Sequence, residues 1–225
     1  MARPNNRALL ERRFVLGALA GAASAVLPRV AEPQERLRST PRQTLGPFYP
    51  RNASERPRET DADLLTVADG RVLTLGTPAF LTGRVLDARG APVPDAAVEI
   101  WQCDANSVYH HPAGGDEAAR DRNFQGYGIT RTDSAGAYRF RTILPVAYPG
   151  RTAHIHLRVA SAGRSAMATQ LYLAGERGND GDFLYRQLDA ADRAAITLKP
   201  EPSRTDEHPL AALTRMTLRA DLVFA

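Results

Sequence analysis

The stretch AFLTGRVLDARGAPVPDAAVEIWQC, residues 79–103, decides the fold class. AFLTGRVLD and VPDAAVEIWQC are rich in β-branched and aromatic residues, and ARGAP between them carries Gly90 and Pro92, so the segment reads as two strands joined by a turn. The same pattern recurs along the chain. GAYRFRTI follows the turn TDSAG and alternates Tyr138, Phe140 and Thr142 against Ala137, Arg139 and Arg141. TAHIHLRVA, MATQLYL and the closing MTLRADLVF supply further strands. At least six short strands with Gly/Pro turns predict an all-β fold, an antiparallel β-sandwich with short helices, over residues 77–225. GDFLYRQLDAADRAA, residues 181–195, is the one good helix candidate. Residues 32–76, rich in Pro, Arg, Asp and Glu and without period, read as an extended arm.

The chain has 225 residues, 43% of them apolar, as expected of a globular domain with appendages. A domain of about 150 residues buries roughly 70% of its unfolded surface, so this sandwich needs neither a metal nor disulfides to stand. The net charge of +4 is concentrated at the start, where Arg3, Arg7, Arg12 and Arg13 face only Glu11. The scattered arginines elsewhere form no basic stripe, which argues against nucleic acid as a partner. Residues 1–31 place Arg12-Arg13 before a short apolar run and Ala23-Ser24-Ala25, the plan of an export signal. The paired arginines resemble a twin-arginine signal, which implies a periplasmic or secreted protein. The apolar run is too short to span a bilayer, so no stable membrane span is expected after processing; a plain signal and an uncleaved anchor are the alternatives. The single cysteine, Cys103, excludes an internal disulfide and a thiolate metal cage, and its apolar surroundings predict a buried small hydrophobe.

YPGRTAHIHL, residues 148–157, carries the chemistry. Alternate residues of a strand share a face, so His154 and His156 point the same way and Ile155 points to the opposite layer. Such a pair can chelate a metal or simply be hydrogen-bonded at a sheet edge. Tyrosines surround it: Tyr148 lies six residues upstream, and Tyr109 sits in NSVYHH at the end of another strand. A phenol ionises near pH 10 in water, so it becomes a ligand at neutral pH only beside a strongly Lewis-acidic cation. Anionic oxygen with imidazole nitrogen suits a ferric ion better than softer metals.

Five ordered blocks resemble the intradiol ring-cleaving catechol dioxygenases: TPRQTLGPFYP (40–50), GRVLDARGAPVPDAAVEIWQCDANSVYHH (83–111), NFQGYGITRTDSAGAYRFRTILP (123–145), YPGRTAHIHLRV (148–159) and ATQLYL (168–173). The resemblance implies a non-haem Fe(III) held by Tyr109, Tyr148, His154 and His156. It implies a catecholic small molecule and O2 as reactants and a cis,cis-muconate-type product. Tyr148 would be the ligand that substrate displaces, its phenolate taking up a substrate proton. Arg151 matches the family's active-site arginine and Gln170 a glutamine near the O2 and substrate pocket. Ser107 stands where many members have glycine, the loop between Tyr148 and His154 is short, and there is no room for the helical dimerisation domain of the catechol and hydroxyquinol branches. Homo-oligomerisation stays open. His110, His111 and His208 read as solvent-facing. Phe48 and Tyr49 either reach the pocket rim or pack beneath it, and Trp101, Tyr127 and Tyr138 read as packing residues. Parts of the pattern also resemble transthyretin-like and carboxypeptidase-regulatory-like domains, so a non-catalytic β-sandwich binding module is the rival reading. A zinc or copper site on His154 and His156 has no carboxylate or thiolate third ligand by motif.

Overall fold

The computed structural model describes residues 36–57, 59–69, 71–204 and 211–224. The expected export segment, residues 1–31, and His208 lie outside the described residues. Among the described residues no helix is long and apolar enough to cross a membrane.

Two five-stranded sheets form a sandwich. After a short hairpin of β1 (Val67–Ala68) and β2 (Arg71–Val72), the first sheet centres on β3 (Pro78–Leu86). The second centres on β4 (Ala97–Trp101), flanked by β5 (Tyr127–Arg131) and followed by β7 (His154–Ala160), β8 (Met167–Leu173) and β9 (Thr197–Leu198). β6 (Ala137–Ile143) pairs with β3, and so do β11 (Met216–Arg219) and β12 (Leu222–Val223), with β10 (Glu201–Pro202) outside β11. The sandwich agrees with the sequence reading, but the pairings of β3 with β11 and β12, and of β8 with β9, are parallel. Both sheets are therefore mixed. The cause lies in the connections: β9, β11 and β12 reach their partners through long excursions instead of hairpins, which frees their direction. Between β11 and β12 the chain bulges inward at Ala220, and only a glycine tolerates it, because a Cβ on Gly83 would lie 1.8 Å from the Ala220 carbonyl oxygen.

Period-two alternation sets the core. Val98, Ile100, Ile155, Leu157, Val159, Met167 and Leu171 from one sheet meet Leu81, Val85, Tyr138, Phe140, Leu218 and Leu222 from the other. The predicted helix is split. Asp182 accepts hydrogen bonds from the N–H groups of Leu184 and Tyr185, and Asp189 caps the helix by accepting one from Asp192, so two carboxylates hold the backbone at separate points and interrupt one continuous helix. The result is a 3-10 turn (Tyr185–Gln187) and a seven-residue helix α1 (Ala190–Ile196).

The arm is pinned along its length. Its Leu37, Thr40 and Gln43 N–H groups donate to the carbonyls of Ala88, Val223 and Ala168. Further on, Leu64 and Ala62 exchange backbone bonds with Arg141 on β6, and Thr60 accepts from Ile129 on β5. Leu64 and Leu65 are buried in the core, so the arm also closes sheet edges.

Candidate metal centre

On β7, Ile155, Leu157 and Val159 fill the core, and His154, His156 and Arg158 take the opposite face. Register places Trp101 and Gln170 on either side of His156, Tyr172 beside His154, and Glu99 beside Arg158. An outer sheet face is ordinarily wet. Here the arm crosses it and leaves His154 and His156 each 1% exposed. Gly46, at φ +73°, allows the crossing, since a Cβ there would lie 3.2 Å from His156 Cε1. Tyr49 packs against Trp101 (centroids 4.8 Å apart) and donates its hydroxyl to buried Glu99 at 2.9 Å. Glu99 also accepts from Tyr127 and Arg158, which makes it the clasp holding the arm down. The indole of Trp101 stacks on His156 at 4.8 Å and 8°.

Two loops complete the site. Asp104, whose side chain is fully buried, accepts from the N–H groups of Asn106, Val108 and Asp121 and faces His110 Nε2 at 3.3 Å. This turn delivers Tyr109. The loop after β6 delivers Tyr148, where Arg151 N–H closes a tight turn on the Tyr148 carbonyl. The four rings form a closed cycle of neighbours. Centroids are 5.4 Å apart for Tyr109 and Tyr148, 5.6 Å for Tyr148 and His154, 4.7 Å for His154 and His156, and 6.2 Å for His156 and Tyr109. Phe48 stacks on Tyr109 at 4.3 Å and closes the cycle from the arm side.

The donor atoms fit a cation. His154 Nδ1 lies 2.7 Å from the Thr152 carbonyl, which can only accept, so Nδ1 carries the proton and Nε2 presents a lone pair. The two Nε2 atoms are 3.1 Å apart, the separation of nitrogens each about 2.1 Å from one ion at roughly a right angle. Burial pushes the His154 pKa down to about 4, and burial followed by the nearby His154 and Arg151 pushes His156 well below its ordinary value. Both imidazoles are thus neutral at neutral pH and free to ligate. The Tyr109 hydroxyl is buried without a hydrogen-bond partner, and burial raises its pKa well above the ordinary phenol value. Burial raises Tyr148 as well, although Arg151 beside it works the other way. Only a strongly Lewis-acidic cation would ionise two such phenols near neutral pH. Among the described residues no group of three or more His, Cys, Asp or Glu side chains is assembled that could hold a metal. The side chains that neighbour the histidine pair in this cycle are the phenols Tyr109 and Tyr148.

Arg151 and Gln170 stand together at the edge of this cycle. The Arg151 Nη2 donates to Gln170 Oε1 at 2.6 Å and lies 3.5 Å from the Tyr172 hydroxyl, while its Nε donates to Asp182 at 2.8 Å. Gln170 Nε2 donates to the Thr44 carbonyl of the arm. Exposed Phe183 lies with its ring 5.3 Å from the guanidinium. Sequence reading missed Asp182 and Tyr172. Tyr172 was within reach, because it lies two residues after Gln170 and shares its face.

Two other readings change. His110 and His111 are not solvent-facing, because the turn after Tyr109 folds back through bonds from Tyr109 N–H to Gly114 and from Gly114 N–H to His111. His111 is buried near Phe48 and 3.6 Å from Glu55, and His110 is half-buried against Asp104. Phe48 covers the cycle, against Tyr109 and Tyr148, whereas Tyr49 packs beside it on Trp101. Trp101 and Tyr127 sit with Cys103 and Tyr109 in a small second core. Cys103 is buried as expected, and burial together with Asp104 pushes its thiol up to about 12, leaving it a neutral packing group.

A family model described as Dioxygenase matches residues 45–205. The protocatechuate 3,4-dioxygenase beta chain of Burkholderia cepacia is 40% identical over 124 residues, 52% of this chain and 53% of that protein. The hydroxyquinol 1,2-dioxygenase of Corynebacterium glutamicum is 28% identical over 206 residues, 83% of this chain and 64% of its own length. The chain thus spans between about half and two thirds of the length of these curated relatives. Among solved structures, the dioxygenase domain of a dioxygenase carbohydrate-binding protein fusion from Streptomyces sp. SirexAA-E superposes with a TM-score of 0.62 at 27% identity, covering 83% of this chain and 98% of that domain.

Proposed function

Because the chain belongs to the intradiol ring-cleavage dioxygenase family, we propose that it opens a catechol-type ring with O2 to a cis,cis-muconate-type product, using a non-haem ferric ion held by Tyr109, Tyr148, His154 and His156. The carrying observation is the pair of facing Nε2 atoms closed into one cycle by two buried or half-buried phenols. A passive sandwich has no use for such a group. When bound, the ferric ion would supply Lewis acidity, favouring the ionised forms of phenols and of a chelating catechol.

The chain's own residues do the rest. Tyr109, stacked under Phe48 and sealed from water, suits the role of fixed ligand. Tyr148 is only partly buried and stands beside Arg151, which favours its phenolate, so of the two phenols that would hold the ion its Oη is the one suited to take up a proton from an incoming catechol hydroxyl. Arg151 stays charged because Asp182 offsets its burial, and it is placed to stabilise negative charge spread over the substrate ring. Gln170 fixes the second edge of the guanidinium. Trp101, Phe48 and the arm exclude water from the ligands. We further propose that residues 1–31 direct export of the folded protein, a reading supported by the sequence pattern and tested by locating the protein in cell fractions with Arg12 and Arg13 both changed to Lys.

The enzyme test uses purified protein and a panel of catechol, protocatechuate and hydroxyquinol. Stoichiometric iron, a tyrosinate charge-transfer band and a ring-opened dicarboxylate from at least one catechol are expected. An iron-free, colourless protein inactive on all of them after reconstitution with iron would overturn the reading. Tyr148→Phe is expected to retain iron, lose part of the visible band and slow turnover by about a hundred-fold or more.

A further inference from the structure

We propose that Ser107 is a positioning residue whose hydroxyl clamps the Tyr148 segment to the Tyr109 loop and so fixes the spacing of the two phenols. Three non-glycine residues among those described have positive φ, and Ser107, at φ 66°, is the only one that is not aspartate. That region favours Gly, Asn or Asp, so serine there carries backbone strain that a glycine would avoid. The strained backbone gives its side chain a specific reach. Ser107 Oγ donates to the Ala147 carbonyl at 2.7 Å, across 40 residues of sequence, and Ala147 immediately precedes Tyr148. The donor stands on firm ground, since Ser107 N–H donates to the Asp104 carbonyl and the buried Asp104 carboxylate accepts from Asn106 and Val108 on either side. Tyr109 follows two residues later. A glycine would form the same turn without the link.

The functional meaning rests on the reading of Tyr109 and Tyr148 as ligands, whereas the clamp itself is measurable without iron. Amide hydrogen exchange is to be followed in iron-free and iron-loaded protein for the wild type and Ser107→Gly. The reporting amide is Arg151 N–H, bonded to the Tyr148 carbonyl at 2.9 Å. The variant is expected to exchange about three to five times faster at Arg151, the size expected of one partly exposed hydrogen bond. Exchange at Val108, held by Asp104, is expected to stay unchanged, and the melting temperature to stay level or rise as strain is relieved. In the iron-loaded variant the tyrosinate band is expected to shift. Unchanged exchange at Arg151, or equal acceleration at Arg151 and Val108, would overturn the clamp. Ser107→Asp, which tolerates the same φ as Asp69 and Asp95 do and whose carboxylate can only accept, is expected to repeat the pattern and serves if the glycine variant does not fold. A wild type that shows no visible band, with the exchange difference intact, would overturn the ligand reading and leave the clamp standing.

Discussion

His154→Ala is expected to yield a folded protein that binds iron at least a hundred-fold more weakly and has no measurable ring-cleaving activity. Of the proposed donors Tyr109, Tyr148 and His156 would remain, but the site would lose one of the two nitrogens that face each other at 3.1 Å. Changes to groups that merely orient metal ligands already cost ten- to a hundred-fold in affinity, and deleting a ligand exceeds that. Folding is expected to survive because the opposite face of β7 is untouched: Ile155, Leu157 and Val159 remain in the core. The local cost is the lost bond to the Thr152 carbonyl and a small void, together about 1–3 kcal/mol. Iron content by elemental analysis, the visible spectrum and the circular dichroism melt separate the two effects. A variant that keeps full iron and full activity would refute the ligand assignment. One that melts far below the wild type would show that the histidine is chiefly structural.

Much of this arrangement is legible in the sequence because a strand's period is two. The alternation that sets His154 and His156 apart from Ile155 follows from spacing alone, and the same rule applied to QLY puts Tyr172 with Gln170, and applied to EIW puts Glu99 with Trp101. What spacing cannot reveal is which outer face is dry. The arm that covers the histidines has no hydrophobic period, and it is held by backbone bonds, by a glycine at φ +73° and by the Tyr49–Glu99 bond. None of these leaves a periodic signature. The split helix has a similar cause, since Asp182 and Asp189 sit within an otherwise helical pattern and each binds backbone N–H groups just after it. The parallel pairing of β11 and β12 with β3 depends on partners more than 130 residues apart, beyond what local turn chemistry specifies. Ser107 is a milder case. Its departure from glycine is visible in sequence, but its hydroxyl's reach to Ala147 is a property of the fold.

Asp182→Ala is expected to destabilise the protein by about 3–5 kcal/mol and to reduce turnover even where iron is fully retained. The Asp182 side chain has no solvent exposure and that of Arg151 only 9%, so removing the carboxylate strands a buried guanidinium. It also removes the acceptor for the Thr152, Leu184 and Tyr185 N–H groups, which anchor the loop before His154 to the turn after β8. At this chain length the loss corresponds to a melting temperature lower by about 10 °C. Asp182→Asn keeps an acceptor but not the charge, and should fall between. If the stranded charge is the cause, Asp182→Ala combined with Arg151→Met should be more stable than Asp182→Ala alone, although inactive; a double variant that is less stable instead would place the cost in the lost N–H acceptors. The pH dependence has a definite sign. Burial raises the Asp182 pKa, but Arg151 and the Tyr185 and Thr152 N–H groups outweigh it and hold the carboxyl below its ordinary 3.8. A carboxyl depressed in the folded state stabilises fully above its unfolded pKa and loses that contribution as pH falls through the lower folded value. Wild-type stability should therefore fall below about pH 4, and the part of that fall due to Asp182 should be missing from Asp182→Ala. Chemical denaturation of both proteins between neutral and acid pH measures the difference; parallel curves would show that the carboxylate is not the coupled group.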